Sequence, residues 1–155
     1  MTQALSTGPN DLESSDLELS NLVEVIETVI SSLDAFHNAQ VHREGEGRLW
    51  KFVYGSADIW VQLTGTTEED TLSIWSPILQ LPVANQEKLL EKLMTLNWLE
   101  TLEAHFAMFQ NQVVILTSRS IMGLSVGEIS HLITLVATLA DDYDDALQQE
   151  FSAIA

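Results

Sequence analysis

The chain has 155 residues, no cysteine, and 23 acidic against 6 basic residues, giving a formal net charge of −17. That length suits one domain burying roughly two-thirds of its unfolded surface, and the lack of cysteine excludes disulfides, thiolate nucleophiles and Cys-ligated metals. Such an acidic surface repels phosphate backbones and anionic lipid, which argues against nucleic-acid and membrane partners.

All the basic residues (Arg43, Arg48, Lys51, Lys88, Lys92 and Arg119) lie in the middle of the chain, with only acids before and after them. Two readings of the charge stay open: a solubilising surface, or a field that steers a basic protein partner. The N-terminus has no basic stretch followed by an apolar run, and no stretch of about 18 apolar residues occurs. A soluble, cytoplasmic protein is the expectation.

Residues 1–14 place Gly8-Pro9-Asn10-Asp11 among Ser, Thr and Gln without periodicity, and are expected to form a disordered lead-in. Residues 15–155 are then a single domain. Its first helix carries Leu19, Leu22, Ile26, Val29, Leu33 and Phe36 at spacings of three and four, widened by Val23 and Ile30. Ser15-x-x-Glu18 and Asn21-x-x-Glu24 are alternative capping boxes for its start. Gly45 and Gly47 end the approach to the next element.

Three strands are expected next. "RLWKFVY" alternates Leu49, Lys51 and Val53 with Trp50, Phe52 and Tyr54, and Gly55-Ser56 supplies a tight turn. "DIWVQLT" turns Ile59, Val61 and Leu63 inward and Asp58, Trp60, Gln62 and Thr64 outward. "TLSIWSP" follows a polar loop and is expected to end at Pro77, with an apolar connection over 78–82. Asn85 caps a helix over 86–99 bearing Leu89, Leu90, Leu93, Met94 and Leu96. A hairpin pairs His105–Phe109 with Gln112–Thr117 through Gln110-Asn111, and the continuous Val113–Leu116 run suggests a strand buried on both faces. Ser125-x-x-Glu128 opens a long helix with Ile129, Leu132, Ile133, Val136, Leu139, Ala140, Tyr143, Leu147 and Phe151 on one side. The order α-β-β-β-α-β-β-α makes this an α+β domain: an antiparallel sheet of about five strands covered by three helices.

Reaction chemistry is hard to find. His37, His42, His105 and His131 form no His-x-x-x-His or His-Glu-x-x-His pair, so no metal site is expected from them. His37 and His42 flank the end of the first helix, where a donor suits the negative dipole end. Ser73, Ser76, Ser118 and Ser120 lack a local His partner, and neither a nucleotide-phosphate loop nor a calcium loop occurs. No cofactor and no enzymatic activity are expected.

Two features point to binding instead. Asp141, Asp142, Asp144 and Asp145 sit in the C-terminal half of the last helix, where the macrodipole disfavours negative charge and the acids repel one another. They are either a solvated face or a site for a partner's Lys and Arg or a loosely held cation. Trp60 and Trp75, if in register, share the sheet face opposite Ile59, Val61, Leu72 and Ile74, leaving both faces partly apolar. That second face is either helix-covered core or a surface rich in interface residues.

The run "LMTLNWLE…HFAMFQNQVVIL…LSVGEISHLITLVATLADDYDDAL" resembles the YbjN-like family, whose domain looks like the type III secretion chaperone fold. The matching positions are Leu93, Leu96, Asn97, Phe106, Val113–Leu116, Leu124-Ser125, Glu128, Ala140-Asp141 and Tyr143. The resemblance implies a small, acidic, cytosolic, often homodimeric, non-enzymatic protein. Secretion chaperones of that fold hold an extended partner segment, whereas YbjN-like proteins are described as sensory or stress regulators. The chain departs from a dedicated secretion chaperone in its Trp-rich strands. The expectation is therefore a protein-binding module, chaperone-like or regulatory. It would dock a basic or amphipathic segment on apolar sheet and helix surface, with Trp60, Trp75, Asp141, Asp142 and Asp145 at the partner site. The alternative is an ion- or small-ligand-responsive regulatory domain using the acidic cluster.

Overall fold

The computed structural model describes residues 21–154. The lead-in over 1–14, the Ser15–Glu18 capping box and Leu19 lie outside them.

Helix α1 spans Leu22–Leu33 behind Asn21, so the second of the two candidate starts begins the described helix, although Asn21 makes no side-chain cap bond. Leu22, Ile26, Val29 and Ile30 are buried and form the expected stripe. The stripe stops short of Phe36, which is 75% exposed, because the helix closes at Asp34.

Four strands follow: β1 (Gln40–Glu44), β2 (Gly47–Tyr54), β3 (Ala57–Leu63) and β4 (Thr71–Gln80). Helix α2 (Gln86–Leu99), strands β5 (His105–Phe109) and β6 (Gln112–Ser120), and helix α3 (Val126–Glu150) complete the order. The sheet is antiparallel throughout and runs β1-β2-β3-β4-β6-β5. Among the described residues it has six strands rather than about five. The added strand is β1, "QVHRE", all five residues of which are exposed; with neither face buried, it lacks the alternation that marks a strand in sequence.

Pro77 does not end β4. The strand runs on to Gln80, with a register shift between Pro77 and Leu79 opposite β6. Pairing of β4 with β3 reaches only Trp75, so the proline lies beyond that ladder, at a bulge, where its missing N–H is tolerated. The turns match their residues: Gly55 has φ +58 between β2 and β3, and Gln110 and Asn111 both have positive φ between β5 and β6, as a two-residue type I′ connection requires.

The core lies on one face of the sheet. Trp50, Phe52, Ile59, Val61, Leu63, Leu72, Ile74 and Ile115 are each at most 2% exposed. Helix α3 packs over β4, β3 and β6, and α1 packs beside it on β2. Every apolar position expected to face the core from α3 is buried or half-buried. Ser125 Oγ accepts the Glu128 N–H at 3.1 Å, the first half of the capping box. The Glu128 carboxylate does not reach back; it pairs with Arg119 at the end of β6.

Helix α2 is different. It packs against β5, burying Leu89 and Leu93, while Leu90 is 38% and Met94 70% exposed. Asn97 closes the edge of β5: its Oδ1 accepts the Phe106 N–H at 2.7 Å and its Nδ2 donates to the Phe106 carbonyl at 3.3 Å. A side-chain amide thus stands where another strand's peptide group would.

Candidate functional site: the tryptophan face of the sheet

Alternation along each strand sends every second side chain to the face opposite the helices. Register aligns these residues across the whole sheet. Gln40 pairs with Lys51, Lys51 with Trp60, Trp60 with Trp75, Trp75 with Leu116, and Leu116 with His105. One row therefore crosses all strands with two indoles at its centre. Their rings stack at 6.2 Å between centroids and 8° between planes. Lys51 Nζ lies 5.3 Å from the Trp60 ring centre and 3.9 Å from Asp58, a cation–π contact at a partly wet site.

Both tryptophans are half-buried, as are Leu49, Ser73, Pro77, Leu116 and Ala107 on the same face, and Val53 is exposed. Among the described residues no helix packs on it, since α1 and α3 lie on the other face and α2 meets β5. The expected register and shared face of Trp60 and Trp75 are present. A stacked, half-exposed aromatic pair on a sheet face is the kind of anchor that dominates interfaces.

The acidic cluster lies elsewhere. Helix α3 covers the core face, so Asp141, Asp142 and Asp145 do not join the two tryptophans in one concave site. Three carboxylates of this cluster grip the β2–β3 turn. Ser56 Oγ donates to Asp144 Oδ2 at 2.7 Å, with Asp141 Oδ1 at 3.3 Å and Asp145 Oδ2 at 3.4 Å. The Ser56 N–H donates to Asp141 Oδ1 at 3.1 Å. Asp144 is only 4% exposed; four residues after Ala140 and three before Leu147, it falls on the buried stripe of α3. A Cβ on Gly55 would meet Asp141 at 2.0 Å, which is why the turn carries glycine there. Asp142 and Asp145 remain exposed. Among the described residues, no three of His, Asp or Glu are grouped to hold a metal ion.

The histidines have local roles. His131 pairs with Glu103 at 3.1 Å, and that hydrogen bond holds the Glu103 carboxyl below its usual range. The His37 N–H donates to the Asp34 carbonyl just past α1, while His42 is exposed on β1. Burial, reinforced by a hydrogen bond to Glu100, pushes Tyr143 up to about 12. The Thr67 N–H and the Thr67 and Thr64 hydroxyls hold Asp70 below the usual carboxylate range. None of these shifted groups lies in the tryptophan row.

A second apolar surface escaped the sequence reading. Trp98 is 87% exposed, and Met94, Leu99 and Leu102 are 70%, 64% and 72%. With Leu90, the spacing 90-94-98 puts three apolar residues along the outside of α2. The sequence signal was present, but the same spacing serves equally for a core-facing stripe.

The model of the YbjN family, described as "Putative bacterial sensory transduction regulator", matches residues 22–149. No curated protein matches the chain. Among solved structures, the crystal structure of the ExsC-ExsE complex is similar with a TM-score of 0.52 at 12% identity, covering 83% of this chain and 94% of that one. At that identity the likeness concerns the fold, and the α+β order expected from the sequence agrees with it.

Proposed function

Because the chain belongs to the YbjN family, we propose that it acts by binding another protein, as a regulatory or chaperone-like adaptor whose docking surface is the tryptophan face of the sheet. The row Lys51-Trp60-Trp75-Leu116 carries this reading: stacked indoles left half-exposed, with no described element over them. The family's regulatory description and a fold shared with a complex of two proteins support binding as the mode of action. A partner segment would bury the indoles for affinity, and exposed Asp58 on the same face would favour a basic segment.

A second copy of the chain would pack on α2. Its outer residues Leu90, Met94 and Trp98 are exposed, and within Gln86–Leu99 two lysines balance two glutamates, so apposition there costs least in a protein so negative overall. The alternative of an ion-responsive domain has less support, because Asp141 and Asp144 are turned onto Ser56 and exposed Asp142 and Asp145 belong to no metal-holding group among the described residues. A small-ligand role would use the cavity of about 450 Å³ lined by Gln80, Gln112, Gln148 and Phe151.

The test is Trp60→Ala and Trp75→Ala, assayed by capture of partner from native cytosol at low and moderate salt. Both variants should keep a cooperative melt and lose the captured partner. Global unfolding of both would make these residues core and overturn the reading.

A further inference from the structure

Two arginines face each other on the helical side of the sheet with no carboxylate between them. Arg43 on β1 and Arg48 on β2 are direct cross-strand partners, the first exposed and the second half-buried, and like charges so placed repel. Neither forms an ion pair among the described residues, whereas Lys51, Lys92 and Arg119 each have one. Arg48 donates to the carbonyls of Gly45 and Gly47 instead. The acids of the same hairpin do not answer the pair: Glu44 alternates to the tryptophan face, and Glu46 lies in the turn. In a chain of net charge −17, two guanidiniums left together call for a carboxylate from outside the described residues.

The same row of the sheet shows how such an arginine is answered. Arg43 pairs with Arg48, Arg48 with Leu63, Leu63 with Leu72, and Leu72 with Arg119. At the other end of the row, Arg119 takes Glu128 from the first turn of α3. The Arg43 end lies toward the start of α1. Asp34, just past α1, accepts the Ala39 N–H at 2.8 Å, while Glu27 and Ile30, further back on the helix, line a cavity with Val41 and Trp50. Helix α1 and β1 therefore run side by side in opposite directions. Arg43 and Arg48 stand one step beyond Val41 and Trp50 on the same face. The chain preceding α1 carries Asp11, Glu13, Asp16 and Glu18 with no basic residue, all within about 10 to 35 Å of extended chain from Asn21.

We propose that this acidic segment, residues 11–18, folds back onto the arginine pair of its own chain, its carboxylates bridging the two guanidiniums. A diffusing polyanion would have to overcome the negative field of the whole protein, whereas a tethered segment acts at an effective concentration of about millimolar. Arg43 lies on β1, whose outer edge is unpaired among the described residues. The contact thus holds the segment at the open edge of the sheet and guards that edge from pairing with another chain. It is independent of the tryptophan-face reading, because the two arginines lie on the other face.

The experiment uses the full chain, whose lack of cysteine lets a nitroxide label be placed at Asn10→Cys alone, with ¹⁵N-resolved amide intensities as the readout. At low salt the oxidised label should weaken the Arg43–Arg48 amides at least about twofold relative to its reduced form. Arg43→Gln with Arg48→Gln should restore them, as should raising the salt from about 0.05 M to about 0.5 M. Asp11→Asn, Glu13→Gln, Asp16→Asn and Glu18→Gln together should do the same. That second variant leaves the described residues unchanged, so the test does not depend on the folding of the arginine variant. Amides that keep full intensity at low salt, or that weaken equally in the variants, overturn the proposal. Weakening of a ¹⁵N-labelled chain by a spin-labelled, unlabelled copy would place the segment on a second molecule and also overturn it.

Discussion

Ser56→Ala removes one hydroxyl and reports on what the acidic end of α3 does. The Ser56 O–H donates to Asp144 Oδ2 at 2.7 Å, and Asp144 is 4% exposed. A hydrogen bond to a buried charged group contributes about 1.5–3 kcal/mol. Asp144 keeps the Asp145 N–H on its other oxygen at 2.6 Å, and Asp141 keeps the Ser56 N–H, so the loss should fall near 2 kcal/mol on that scale. For a chain of this length that is a fall in Tm of roughly 4–8 °C. Urea unfolding followed by circular dichroism should show a lower midpoint with an unchanged slope. Asp142→Asn, on an exposed acid, should stay within about 0.5 kcal/mol of the parent. If Ser56→Ala also stays within that limit, the carboxylates are not clamping the turn, and Asp141 and Asp144 return as candidates for a partner or cation. The clamp matters for the site because the Gly55-Ser56 turn fixes the β2–β3 register that brings Lys51 beside Trp60.

Three further outcomes follow from named contacts. Trp98→Glu should convert the dimer proposed above to monomer in sedimentation velocity while changing monomer stability by no more than about 0.5 kcal/mol; an unchanged sedimentation coefficient would remove α2 as the self-association surface. Tyr143 has its folded value raised to about 12 from 10.0, so its contribution is complete below pH 10 and is lost as pH rises through 12. Tyr143→Phe should therefore flatten the fall in stability across that alkaline window. Glu103 has its folded value lowered from 4.5 by the His131 hydrogen bond, so its contribution is present above that pH and lost as pH falls. His131→Ala should remove that acid-side slope, and identical acid titrations of stability for parent and variant would show the pair to be inert.

Much of this architecture was readable from side-chain period and turn chemistry. The alternation in "DIWVQLT" correctly placed Ile59, Val61 and Leu63 in the core and Trp60 away from it, because a half-buried strand writes its burial at period two. Ser125 was found because its cap is a local contact. Strand β1 was missed because a strand with both faces wet carries no such period. Pro77 reads locally as a strand end, but tolerance of a proline depends on where a neighbouring ladder ends, a tertiary fact. The outward turn of Met94 and Trp98 was hidden for a related reason: helical spacing identifies a stripe but not what the stripe faces. Spacing along α3 places Asp144 on the buried stripe, but its partner Ser56 is 88 residues away, a contact that no local pattern announces. Of the residues proposed for the partner site, Trp60 and Trp75 stand where strand parity puts them, on one face, in the register that the sheet supplies.

The tryptophan face, and not the helical face, is the surface proposed to meet the partner. Site-specific photo-crosslinking tests it most directly, with benzophenylalanine placed at exposed Gln62 or Ser118 on the tryptophan face and at exposed Glu24 on α1. The account expects the same protein adduct from Gln62 and Ser118, its loss when Trp60→Ala or Trp75→Ala is added, and no such adduct from Glu24. An adduct from Glu24 alone, or one from Gln62 and Ser118 that persists undiminished in both tryptophan variants, would contradict it.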